Sequence, residues 1–86
     1  MSGRRLILKD GTTIEGGEAG QTPVNLWLWF SGYTLQEAAA VFFDTEKTEE
    51  ITFQYGEMQS IYRGYTNCTQ LDIDTDGTVS VCMKRG

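Results

Sequence analysis

Apolar and polar positions alternate along this chain in short runs separated by glycine-rich turns, the pattern of a protein built mainly from strands. The run Leu6-Ile7-Leu8-Lys9-Asp10-Gly11-Thr12-Thr13-Ile14 predicts a hairpin. A two-residue Asp-Gly loop would put Leu6 and Leu8 on the face opposite Ile14. A three-residue loop, Lys9-Asp10-Gly11, pairs Leu6 with Ile14 and aligns the apolar side chains. The expected turn is therefore type I, closed by Gly11 in the left-handed region. The segment from Leu71 to Val81 repeats the device: a loop of Thr75-Asp76-Gly77 pairs Ile73 with Val79 and Leu71 with Val81.

Between these hairpins the pattern changes several times. Glu15 to Pro23 is polar and glycine-rich and predicts a loop. Val24 to Phe30 predicts a strand with Leu26, Leu28 and Phe30 on one face and Trp27 and Trp29 on the other. With both faces apolar, this strand is expected to be central or to present an aromatic face to a partner. Thr34, with Glu37 three residues on, forms a capping box. It opens a helix whose Leu35, Ala38, Ala39 and Phe42 make one stripe toward a sheet. Asp44 to Glu50 reads as a charged connection, and Ile51 to Tyr55 as a strand ending at Gly56. From Glu57 to Asn67 the pattern is ambiguous, with Ile61-Tyr62 as a short strand and Gly64 in a turn. The expectation is a single α+β domain over residues 1–86: one mostly antiparallel sheet with one helix packed across it.

An 86-residue chain is near the small end of what folds alone. Four Phe, four Tyr and two Trp supply a core at low residue cost. Association with a second copy would add burial, so a homo-oligomer is among the expected assemblies. The apolar stretch after Arg5 stops at Lys9-Asp10, too short for a signal-peptide core, and no stretch approaches a membrane span, so the expected compartment is the cytoplasm.

Charge is distributed unevenly. All twelve carboxylates lie between Asp10 and Asp76, where only Lys47 and Arg63 oppose them; the segment carries a formal −10, and the other five cations lie at the two ends. A surface of that sign repels nucleic acid and anionic membrane and attracts basic protein surfaces. The densest run is Asp44, Glu46, Glu49 and Glu50. It reads either as a solvated connection or as a phosphate mimic, with carboxylates filling the positions where a nucleic-acid-binding protein expects backbone charge. Trp27 and Trp29, with Tyr62 and Tyr65 and the further Tyr33 and Tyr55, read as core or subunit packing, or as an interaction surface.

No residue set points to catalysis. The chain has no histidine, and no carboxylate pair stands among apolar neighbours that would shift its pKa. Asp72-x-Asp74-x-Asp76-Gly77 opens like a calcium loop, but its twelfth position is Met83, so the acids read as turn formers and no metal or cofactor is expected. Cys68 and Cys82 are expected on one sheet face as diagonal neighbours, with Cys82 opposite Gln70, too far apart for a comfortable disulfide.

Three stretches carry a resemblance: Leu6-Ile7-Leu8-Lys9-Asp10-Gly11-Thr12, Gly64-Tyr65-Thr66, and Asp76 to Lys84. With these the chain resembles small uncharacterised proteins from phages and prophages of gut Firmicutes. Some phage proteins of this size and charge inhibit host immunity, and others are minor tail or baseplate parts. The resemblance implies no catalytic residue. The leading expectation is a non-enzymatic inhibitor of a bacterial defence component, acting inside the host cell and held by a partner's basic surface. The alternatives are a structural subunit of a phage particle and an oligomer that sequesters a ligand between subunits.

Overall fold

The computed structural model describes residues 3–86. Strands β1 (Arg4–Leu8) and β2 (Thr13–Glu15) form the first hairpin. Leu6 faces Ile14, the Leu8 amide donates to the Thr12 carbonyl, and Gly11 has φ +94°. Burying Leu6, Leu8 and Ile14 on one face requires this register. β3 (Glu18–Gln21) and β4 (Asn25–Phe30) follow. Then come α1 (Leu35–Phe42), α2 (Thr45–Thr48), β5 (Glu50–Tyr55), β6 (Met58–Arg63), β7 (Asn67–Ile73) and β8 (Val79–Lys84).

The strands form two four-stranded antiparallel sheets, ordered β2-β1-β5-β6 and β3-β4-β8-β7. This corrects the single sheet expected from the sequence. Leu6, Leu8, Ile14 and Ile51 of the first sheet share one core with Leu26, Leu28, Phe30, Val79, Val81 and Met83 of the second. The chain crosses between the sheets three times: at Gly16-Gly17, through α1 and α2 between β4 and β5, and at Gly64-Tyr65-Thr66. Glu15 to Pro23, expected as a loop, contains β3, whose backbone pairs along β4 from Glu18–Trp29 to Gln21–Leu26. β6 likewise pairs with β5 along its whole length, through a two-residue turn at Gly56-Glu57.

The helical part is small and divided in two. The capping box of α1 forms: Thr34 Oγ1 accepts from the Glu37 amide at 3.1 Å, and Glu37 Oε1 accepts from the Thr34 amide at 2.9 Å. Ala38 and Phe42 enter the core, where Phe42 packs on Phe30 with ring centres 5.5 Å apart. Leu35, expected in the same stripe, stays 43% exposed. The expected connection after Asp44 contains the single turn of α2, capped by the Asp44 side chain.

Candidate functional site

α2 is tied to the first hairpin. The Lys9 amide donates to the Lys47 carbonyl at 3.0 Å, Lys47 Nζ meets Asp10 Oδ2 at 2.7 Å, and Lys9 pairs with Glu49. Lys47 and the Thr12 amide hold the Asp10 carboxyl well below the usual carboxylate range, and Glu49 pushes the Lys9 ammonium up. The four carboxylates singled out in this run therefore have different occupations. Asp44 caps α2 by accepting from the Glu46 amide at 3.0 Å. Glu49 pairs with Lys9, and Glu50 with Arg63 at 3.1 Å. Glu46 is exposed and makes no ion pair among the described residues.

The whole surface follows the same division. Arg4–Glu18 and Arg5–Glu15 complete a set of five ion pairs among the described residues. These leave seven carboxylates without a cation: Glu37, Asp44, Glu46, Glu57, Asp72, Asp74 and Asp76. Among the described residues Lys84 and Arg85 are the cations without a carboxylate. Six of the seven acids lie on the two helices and on β7 with its turn.

An apolar groove of about 580 Å³ runs between α1 and β7. Leu35, Ala39 and Phe43 line one side, spaced four residues apart along the helix and its C-cap; Cys68 and Leu71 line the other. Phe43 is 60% exposed. β7 is an edge strand, so its outer backbone groups lie open beside the groove. The lining carries no carboxylate; Glu37 and Asp44 adjoin it in sequence on the helix side, whereas Asp72, next to Leu71, projects to the opposite face of the sheet. Burial pushes the Cys68 thiol up, which makes it an apolar wall rather than a nucleophile. The apolar arc of α1 carries the signal for this groove. Ala38 and Phe42 fill the core, and Leu35, Ala39 and Phe43 form a second stripe beside them.

The aromatic residues do not form one surface. Tyr65 is 3% exposed and belongs to the core; Tyr62 is half-buried against it, with ring centres 6.2 Å apart and planes at 86°. Gln21 Nε2 donates to Tyr65 Oη at 2.7 Å, and the Arg85 guanidinium lies 5.1 Å from the Tyr65 ring centre. Trp27 and Trp29 lie elsewhere, half-exposed on the face of β4 turned away from the core. The two cysteines also separate. A bulge between Cys68 and Gln70 sets Cys68 opposite Met83 and so on the core side, whereas Cys82 stays beside Trp27 on the outer face. The expectation of a shared face fails because the extra residue reverses the alternation.

In the Asp72–Asp76 run the side chains serve the turn. Asp74 Oδ1 accepts from the Thr75 amide at 2.7 Å, Asp76 Oδ1 from the Thr78 amide at 2.9 Å, and Asp72 Oδ2 from Gln70 Nε2 at 2.7 Å. No group of three or more His, Cys, Asp or Glu side chains arranged to hold a metal ion occurs among the described residues. No helix among them is long and apolar enough to cross a membrane. No family model, curated protein or solved structure matches the chain.

Proposed function

We infer that this protein is a non-enzymatic binding protein of phage type that inhibits a bacterial defence component by occupying a basic surface on it. The observation that supports this reading is the residual charge. After internal pairing, seven carboxylates remain without a cation among the described residues, and two of them, Glu37 and Asp44, adjoin in sequence the helix residues that line the apolar groove between α1 and β7. Such a site suits a segment that carries both lysine or arginine and an apolar anchor. The carboxylates take the cations, as phosphates do on nucleic acid, and Leu35, Phe43 and Leu71 take the anchor. The open edge of β7 adds backbone partners for an extended segment. Relative to the sequence expectation, the centre of the proposed surface moves from Glu49 and Glu50, which are internally paired, to Glu46 and the groove.

The test is a plating assay. Bacteria carrying a defence system and expressing this chain should plate phage more efficiently than bacteria without it. Glu46→Lys combined with Phe43→Ser should remove that gain while the protein still accumulates and melts normally, because both side chains are exposed. An unchanged gain in the double variant would remove the groove from the reading. No gain across a panel of defence systems would remove inhibition itself. The particle-subunit alternative is favoured by a different feature, the open edge strand β6 with Met58 73% and Ile61 41% exposed. That reading requires salt-insensitive assembly through β6.

A further inference from the structure

The outer face of the second sheet can be read as three rows crossing its strands. Directly paired residues project to the same side of a sheet. The register therefore places Glu18, Trp29, Ser80 and Asp72 in one row, Gly20, Trp27, Cys82 and Gln70 in the next, and Asn25, Lys84 and Asn67 in the third. The centre is aromatic: the Trp27 and Trp29 rings lie 6.3 Å apart with planes 9° from parallel. Trp29 lies over Gly20, where a Cβ would come within 3.1 Å of its ring. α1 packs on the opposite, core side of this sheet through Ala38 and Phe42 and leaves the indoles half-exposed. The two ends of the face carry opposite charge. Asp72 stands at one end with Asp74 and Asp76 beyond it, and Lys84 stands at the other with Arg85 beyond it. None of the five makes an ion pair among the described residues.

We propose that a second copy of this chain occupies this face, related by a twofold axis that lies in the interface along the Gly20–Trp27–Cys82–Gln70 row. The charge pattern selects the axis. A twofold axis along the strands would lay the Asp72 row on the same row of the partner, acid against acid. An axis across the strands reverses the row order, so Lys84 lies over the Ser80 position of the second copy, with the Asp72 position one strand, about 4.8 Å, to the side and within reach of the long lysine side chain. Symmetry makes that contact twice, and the indoles close on one another at the centre. Four strands about 4.8 Å apart, with about 20 Å of strand length, give a footprint of roughly 400 Å² in projection. That is below the roughly 800 Å² per partner of a standard stable complex. The dimer is accordingly concentration-dependent rather than permanent.

Sedimentation velocity over a concentration series tests the proposal. The unaltered chain should show a monomer–dimer equilibrium, with acrylamide quenching of the indoles decreasing as dimer forms. Lys84→Asp alone and Asp72→Lys alone should each weaken the dimer by roughly tenfold or more, since two pairs turn from attraction to repulsion. An equimolar mixture of the two variants should restore it, because each supplies the charge the other lacks. Both positions are exposed, and the mixture reports on pairing independently of any effect on folding. A chain that stays monomeric throughout the series overturns the proposal. So does a dimer that neither reversal weakens, one that forms without protecting the indoles, or a mixture as weak as the single variants.

Discussion

Gly11 and Gly77 fix the register of the two outer hairpins, with φ of +94° and +92° and open space where a Cβ would stand. Any penalty for a side chain there comes from the backbone conformation, at about 1 kcal/mol or more. Gly77→Val should therefore lower the melting temperature clearly more than Thr75→Val in the same turn. Equal effects would contradict the left-handed role. Asp10 makes a second prediction at this scale. Its carboxyl is held low by Lys47 and the Thr12 amide, so its contribution is full above the ordinary carboxylate pKa of about 4 and is lost as pH falls toward its depressed folded value. Asp10→Asn keeps an acceptor for Thr12 but removes the charge. The melting-temperature gap between the parent and this variant should be widest near neutrality and close in acid. A gap independent of pH would show that the ion pair contributes nothing.

At the scale of elements, local chemistry was legible and long-range partition was not. Asp-Gly turns and the Thr34–Glu37 box act within a few residues, and both hairpin registers and the helix start follow from them. β3 was hidden because Glu-Ala-Gly-Gln has neither alternation nor β-branched side chains, and β4 imposes its pairing. β6 was legible only at Ile61-Tyr62, because an edge strand facing solvent, Met-Gln-Ser-Ile-Tyr-Arg, needs no buried face. The division into two sheets depends on Gly17, where a Cβ would fall 2.7 Å from Leu6 Cδ1. Leu6 is fully buried and has little room to move. Gly17→Ala should cost about 1–3 kcal/mol through overpacking, measured by denaturant unfolding. Gly3→Ala, where the nearest atom is 3.5 Å away, should cost less. Equal costs would place the sheet crossing elsewhere.

At the scale of the molecule, the formal charge of −5 is the residue of internal pairing rather than an even coat. The sequence displayed the acidic excess, but which carboxylates are free depends on contacts such as Lys9–Glu49 across 40 positions of chain. The groove between α1 and β7 was invisible for the same reason: it needs the helix placed beside a strand about thirty residues later. Under the proposed function a basic partner is held by the free carboxylates, with the groove as its apolar anchor site. The most direct measurement is the affinity of a partner captured from bacterial lysate, followed across a salt series for the parent chain and for Glu46→Lys. Affinity should fall steeply with salt, because exposed charges are screened over about 10 Å at 0.1 M. The variant should bind more weakly and with a shallower salt slope, and DNA should compete for the partner. Affinity that ignores salt and is unchanged in Glu46→Lys would contradict the proposed function.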